Sequence, residues 1–447
     1  MITIIGGGPA GRNAAVHLAN AGEEVRLIES GGKNGIGGQC LHYGCMLVCG
    51  LNDVARVRAQ SAILNRRGIF KSVPEIDFTA LINGLGEVQG KIAGFLDQET
   101  KDAGVEIIYG KEARVRGKTV LIEGESHAPE HLLIATGSRP MVPDVPGVGL
   151  PGVYTSHSFS RLRTLPEKVT VVGGGIMAAE FSFIFHSLGS AVDLVSRSGF
   201  LKNLDPRLRA AALRDLSGVT LHENSRMIDI GGKNNVNSIR FEYEGAIKET
   251  ECDAIFLAAG LVPRSESITG LDKGPSGEIL VNRKMQTGVP GVYAAGDVTG
   301  CPCLTPVARR EGIVAAENIL GRTCEMDYSA VPQSLNLMYE YAFSEKERKE
   351  GVSLWVPGPA GPGTFWSVPD GHTGLAKVTA DPYSGEIEEI GIAAPAGGII
   401  AAYTTFLIRM GANVHDFDKF LEVHPEADGL SSLIKYASRR FEREREN

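Results

Sequence analysis

The chain opens on Ile2–Thr3–Ile4–Ile5, a short β-branched run that suits a buried strand. Glycines follow at once. Asn13 to Ala21 then reads as a helix that Gly22 can end. Val25–Ile28 is a second strand, closed by Glu29. The same order returns further on. Val169–Val172 is a strand, glycines follow, Phe181 to Leu188 continues a helix, Gly189 ends it, and Val192–Val195 is the next strand. Two more apolar runs end in glycine: Leu132–Leu133–Ile134–Ala135–Thr136–Gly137 and Gly291–Val292–Tyr293–Ala294–Ala295–Gly296–Asp297. The first is expected to be a hinge between the two strand-glycine-helix units, with Val262–Pro263 as the way back. From Gly391 to Met410 the chain is mostly apolar, but Pro395 and glycines interrupt it. A buried loop and helix is expected there, not a membrane span of about 18 apolar residues. The Pro/Gly-rich run from Val356 to Gly363 reads as a local turn. Arg439, Arg440, Arg443 and Arg445 alternate with Glu and read as a solvated helix end.

The pattern predicts an α/β chain, and 447 residues allow roughly three domains of about 150 residues each. An apolar fraction of 43% and a charged fraction of 22% are ordinary for a globular protein. Glycine stands out, with 56 residues where about 7% is usual. Its clusters follow apolar runs, where backbone turns tightly or approaches a ligand. A net charge of −8 argues against nucleic acid as a main partner. The strand-like first residues leave no secretory signal, so a cytoplasmic protein is expected. Seven cysteines in that setting point to catalytic, metal-binding or incidental thiols rather than a disulfide framework.

Gly6, Gly8 and Gly11 spell G-x-G-x-x-G between a strand and a helix, and Glu29 stands 18 residues past the third glycine. Such glycines let backbone N–H groups and a helix N-terminus approach a pyrophosphate, and the acid receives ribose hydroxyls. The first site therefore suits an adenosine with free hydroxyls, such as that of FAD. In the second unit Gly173, Gly175 and Ala178 take the small positions. Gly6 to Glu29 spans 23 residues, and the same step from Gly173 reaches Ser196, followed by Arg197. A carboxylate there would repel a 2′-phosphate, whereas Ser and Arg bind it. The second site is read as built for NADPH, with Lys202 as a helper. If Arg197 points to solvent, either NADPH or NADH binds. Asp297, at a strand end beside Gly296, is placed to accept hydrogen bonds from a ribitol chain.

Gly37–Gly38–Gln39–Cys40–Leu41–His42–Tyr43–Gly44–Cys45 follows the first unit. With the two glycine motifs, Ala135–Thr136–Gly137, Gly296–Asp297 and His424–Pro425, it makes the whole chain resemble the class I pyridine nucleotide-disulfide oxidoreductases. That family includes dihydrolipoamide dehydrogenase, glutathione reductase and mercuric reductase. The resemblance implies an FAD domain at 1–144 completed by 263–324, an NAD(P) domain at 145–262, and a C-terminal α/β dimerisation domain at 325–447. It implies FAD, NADPH (or NADH) and a redox-active Cys40–Cys45 pair. Cys45 would be the thiolate beside the flavin, Cys40 the interchange thiol, and His424 the acid/base that completes the partner subunit's site in a homodimer. Gly38, Thr136, Gly137 and Thr305 would line the flavin site. The substrate would be a small-molecule or lipoyl disulfide, with no nucleic acid, membrane or metal. Two alternatives stay open: a dihydrolipoamide dehydrogenase acting with a lipoyl protein, and a redox sensor or electron-transfer subunit without turnover.

Three departures stand out. The family's lysine four residues after the second cysteine is Cys49 here, which leaves Glu180 without its usual partner. Cys49 is either a third redox thiol or a packed replacement. The glutamate usual five residues after the histidine is Gly429, with Glu426 and Asp428 nearby. Cys301 and Cys303 form a C-x-C that is either functional or two small buried residues.

Overall fold

The computed structural model describes residues 1–447 except 33, 34, 301, 347–349, 427 and 447. Its first sheet is parallel, in the order Val292–Ala294, His131–Ile134, Ile2–Ile5, Val25–Glu29 and Glu106–Tyr109. The opening strand is central and buried on both faces, which is why it lacks polar alternation. Helices α1 (Pro9–Asn20), α2 (Gly38–His42), α3 (Cys45–Arg66) and α4 (Phe78–Asp102) belong to this part. Helix α1 begins earlier than the sequence pattern suggests, because Pro9 is favourable in a first helical turn.

A second parallel sheet runs Val219–His222, Ala191–Val195, Lys168–Val172, Ala254–Leu257 and Val153–Tyr154. Helix α5 (Ile176–Leu188) leaves its glycine turn, and α6 (Pro206–Asp215) follows. The chain crosses between the two sheets at an antiparallel pair of short strands, Ser138–Pro140 against Leu261–Pro263. Helix α7 (Thr305–Ile319) then returns to pack on α1.

An antiparallel sheet ends the chain, in the order Gln333–Asn336, Glu340–Glu345, Ile387–Ala394, Leu375–Ala380 and Val352–Pro357. Gly391 to Ala394 belong to a strand rather than the expected loop, because they pair with Glu340–Phe343 and Leu375–Lys377. Helices α8 (Gly397–Arg409) and α9 (Leu430–Glu446) cover this sheet. Leu430, Leu433, Ile434, Ala437 and Phe441 form the buried helical stripe of α9.

The α1–α7 contact positions the site. A Cβ at Gly312 on α7 would meet the Ala10 carbonyl oxygen at 2.2 Å. Gly312→Ala should therefore destabilise the fold by about 1–3 kcal/mol through overpacking. Denaturant unfolding measures the loss, and retention of flavin through gel filtration should fall with it.

Candidate active site

A cavity of about 2430 Å³ runs past both glycine turns and the cysteine loop. At the first turn Gly6 has φ +106°, and a Cβ there would stand 2.2 Å from the Ala135 carbonyl oxygen. A Cβ on Gly11 would fall 2.0 Å from the Gly6 oxygen. Gly8 caps α1 without a side chain, so the helix N-terminus opens on the cavity. Glu29 takes the Gly7 amide on Oε2 at 2.7 Å and the Gly31 amide on Oε1 at 2.8 Å. This cradle fits a pyrophosphate with an adenosine whose ribose is unphosphorylated.

Across the cavity, a Cβ on Gly173 would lie 2.2 Å from the Ala258 oxygen, and Gly175 caps α5. Ala178 is buried beneath the turn. Ser196 is buried too, and its hydroxyl bonds the Ser198 carbonyl at 2.5 Å. Arg197, Lys202 and Arg226 all line this end and are exposed. Arg226 carried no sequence signal, since it comes from the antiparallel strand Arg226–Gly232. The nearby carboxylate of Glu223 is engaged by the Phe200 amide at 2.6 Å and Arg209 at 2.7 Å. Glu223 is therefore already paired and leaves these cations free of it.

Between the two ends lies the cysteine loop. Gly37 donates its amide to the Gly7 oxygen at 3.0 Å, and a Cβ on Gly38 would stand 2.7 Å from the Gly8 Cα. Two glycine backbones thus touch, and the loop is pinned to the first turn. Cys45 is the first residue of α3, Cys40 lies in α2, and both are free thiols. The two hydrogen-bond each other, and Cys45 Sγ is 3.4 Å from Thr305 Oγ1. Cys40 is lowered to about 6, first because Cys45 donates to its thiolate, then through Thr305 and the charge of Arg309, against the cost of burial. Cys45 is pushed far above the ordinary thiol range, because it keeps the shared proton.

Asp297 accepts from Ser138 Oγ at 2.6 Å, and burial raises its pKa. Gly296 donates its amide to the buried Glu311 at 2.7 Å, and Tyr328 bonds the other oxygen of that carboxylate at 2.7 Å. Glu311 and Tyr328 thus hold the Gly-Asp turn, a role invisible before α7 is placed. Thr136 donates to the Arg264 carbonyl at 2.7 Å, and Gly137 adopts φ +71°. His157 also lines the cavity, stacked on Tyr43 with ring centroids 4.3 Å apart. Burial and Arg264 lower it to about 4, so it is neutral at physiological pH.

Glu180 lies on α5, buried at the cavity wall. Its Oε1 accepts from the Asn336 amide at 2.9 Å and from Asn336 Nδ2 at 3.0 Å. Burial pushes its carboxyl up to about 7, while Asn336 and, more weakly, Arg56 oppose the shift. Arg56 shares a face of α3 with Cys45 and Cys49 by helical spacing. Cys49 opens on the cavity, and loss of water, Cys45, Asp53 and Glu180 all raise its pKa. It stands there as a protonated thiol.

A family profile described as pyridine nucleotide-disulphide oxidoreductase matches residues 1–312. The chain belongs to that family. It is 30% identical to a dihydrolipoyl dehydrogenase of Thermus scotoductus, over 96% of this chain and 95% of that protein. A mercuric reductase of Staphylococcus aureus is 30% identical over 72% of this chain and 59% of its own length. In fold, the chain is similar to the HOCl-induced flavoprotein disulfide reductase RclA from Escherichia coli, with a TM-score of 0.84 at 22% identity, covering 97% of this chain and 99% of that one.

This oxidoreductase uses FAD and a nicotinamide nucleotide, and the two cradles fit them. The structure does not bring His424 to the cysteines of its own chain. His424 is exposed, next to a cis bond with Pro425, and does not line the cavity. Asp428 caps α9 by accepting the Leu430 amide at 2.7 Å, while Glu426 bonds Ser432 at 3.3 Å and interacts electrostatically with His424. A glutamate could not replace Gly429 in place, since a Cβ there would meet Val356 Cγ1 at 2.9 Å. Cys301 lies outside the described residues, and Cys303 is half-buried. Among the described residues no group of three or more His, Cys, Asp or Glu could hold a metal ion, and no helix is long and apolar enough to cross a membrane.

The shared proton gives a measurable signature. Alkylation of the reduced enzyme by iodoacetamide should rise through an apparent pKa near 6, since the thiolate forms above that pH and is lost below it. Cys45→Ala removes the donor altogether, and the rise should move upward toward the ordinary thiol value.

Proposed function

We propose that the enzyme passes an electron pair from NADPH to a disulfide substrate through Cys40 and Cys45, as a homodimer in the cytoplasm. The observation that carries this reading is the thiol pair, sharing one proton on the cavity wall between two nucleotide cradles. When bound, FAD supplies a two-electron carrier between nicotinamide and sulfur. The residues of the chain do the rest. Gly6, Gly8, Gly11 and the N-terminus of α1 hold one pyrophosphate, and Glu29 holds its ribose. Gly38, Thr136, Gly137, Asp297 and Thr305 border the flavin, and Glu180 faces the nicotinamide side. Gly173, Gly175 and Ala178 receive the second nucleotide, and Ser196, Arg197, Lys202 and Arg226 take its 2′-phosphate.

In the disulfide half-reaction the Cys40 thiolate attacks one substrate sulfur and releases the other as a thiolate. Cys45 then attacks the Cys40 sulfur and frees the second thiol, leaving Cys40–Cys45 oxidised. His424 protonates the departing sulfur in the site of the other protomer. Ile399 and Phe406 of α8, Met410 just after it, and Leu421 and Val423 are large apolar side chains left exposed on the C-terminal part, which supports a dimer face there. All six described cysteines are free thiols, the state that a reducing compartment keeps. The FAD-binding part is 1–144 with 263–324, the nicotinamide part 145–262, and the dimerisation part 325–447. The second reading, oxidation of a lipoyl dithiol, is favoured by the near full-length similarity to the Thermus scotoductus dihydrolipoyl dehydrogenase.

Steady-state kinetics with each nucleotide test the NADPH assignment. Arg197→Ala should lower kcat/KM for NADPH about 10- to 100-fold, the worth of one charged hydrogen-bond partner, and leave NADH within about twofold. Equal losses for both nucleotides would remove the 2′-phosphate role. Lipoamide turnover with NADH exceeding reduction of any disulfide with NADPH would favour the second reading. Light scattering should give twice the chain mass, and a monomer with full activity would sink the shared-site proposal.

A further inference from the structure

The redox pair carries a cation that neither nucleotide end uses. Arg309 lies one turn beyond Thr305 on α7, so the two side chains share a helical face. Thr305 reaches Cys45 at 3.4 Å and also hydrogen-bonds Cys40. The guanidinium is thereby brought to the pair, where it exerts the strongest side-chain charge effect on Cys40. Arg309 is exposed and does not line the cavity that spans the two nucleotide cradles. Among the described residues it has no hydrogen-bond or ion-pair partner, whereas Arg139 and Arg209 are both paired.

The groups that hold the cysteine loop are uncharged. Gln89 of α4 donates to the Leu41 oxygen at 2.8 Å and the His42 oxygen at 3.3 Å. Tyr43 stacks on the neutral His157. Beside Gln89, a Cβ at Gly86 or Gly90 would meet nothing within 4 Å, so α4 is open next to the loop. Arg309 thus adds an exposed, unpaired guanidinium next to a cysteine loop whose own holding contacts are neutral. On a chain of net charge −8, such a local cation attracts what the rest of the surface repels.

We infer that the disulfide substrate is anionic, bearing a carboxylate or phosphate a few bonds from its S–S bond, and that Arg309 docks this group. The inference rests on the disulfide-exchange reading above and names its substrate class. A guanidinium forms a bidentate pair with either oxyanion, which aligns the S–S bond at Cys40. The exchange keeps its balance: one S–S bond breaks, the Cys40–Cys45 bond forms, and two electrons and two protons end on two substrate thiols. The reductant is the dithiol that the nicotinamide nucleotide regenerates. A neutral amide disulfide would leave Arg309 without a docking role.

The test compares three aliphatic disulfides on the holoenzyme: dithiodipropionate (anionic), hydroxyethyl disulfide (neutral) and cystamine (cationic). Consumption of the nicotinamide nucleotide gives kcat/KM. The anion should exceed the neutral compound by about 10-fold, and the cation should fall below it, with the spread shrinking in high salt. Arg309→Glu should reverse the order of anion and cation, and Arg309→Gln should flatten it. Flavin content reports whether each variant folds. A uniform loss for all three compounds in both variants would mean that Arg309 only activates the thiolate, and would overturn the proposal. If the reduced wild-type enzyme exchanges with none of the three, the disulfide-exchange reading itself fails. If it exchanges with all three at rates indifferent to charge and to Arg309, that reading stands and the substrate class falls.

Discussion

Everything at the active site depends on two glycine backbones in contact. Gly38 approaches Gly8 so closely that a single Cβ would collide with the other main chain, and the Gly37 amide donates to the Gly7 oxygen. One turn lines the cavity at the N-terminus of α1 and the other begins the cysteine loop. Fixing them together sets the distance between the nucleotide cradle and the redox sulfurs without any flexible side chain. The N-terminus of α7 then closes on the same spot, because Gly312 lets it lie against Ala10. Thr305 and Arg309 arrive at the cysteines as a consequence of that packing.

The electrostatics follow from the same arrangement. Two thiols in contact cannot both ionise, so one proton is shared and the first thiolate forms well below the ordinary range. Cys49, one turn beyond Cys45 on α3, is kept protonated first by burial and then by Cys45, Asp53 and Glu180. Glu180 takes its hydrogen bonds from Asn336 of the C-terminal sheet, and Arg56 of α3 adds a weaker compensating charge. The position that the family fills with lysine is therefore not left as a bare hole in the charge pattern. The compensation is spread over an amide and a more distant guanidinium.

The unit that carries α6 and the C-terminal sheet are also tied together by buried charge. Helix α6 is anchored at both ends. Asp205 before its first turn bonds Lys377 at 2.8 Å, and Lys377 in turn bonds Glu389 at 2.6 Å. Asp215 at its last turn bonds His372 at 2.5 Å and the Tyr341 hydroxyl at 2.8 Å. Removing one partner from such a buried network leaves an uncompensated charge, which makes the junction rigid rather than merely adhesive. The sheet that presents Asn336 to Glu180 is thus held in register with the second parallel sheet and its α5.

The sequence by itself determined the parts whose chemistry is local. Glycine turns between strand and helix, the acid 18 residues past Gly11, the Ser-Arg pair at the matching position and the two cysteines five positions apart each lie within one short segment. It also foretold the crossing near Thr136 and Val262, since short strands bounded by glycine or proline announce themselves. Only the tertiary structure could decide the rest. Arg226 joins Arg197 at one end of the cavity from an antiparallel sheet, Asn336 meets Glu180 across 156 residues, and Thr305 reaches Cys45 because α7 packs on α1 at Gly312. Gly429 reads in the sequence as a missing acid, yet in the fold it is a close contact with Val356. The difference is physical. Hydrophobic period and backbone conformation are written residue by residue, whereas a side chain's charge environment belongs to whatever segments the packed core brings beside it.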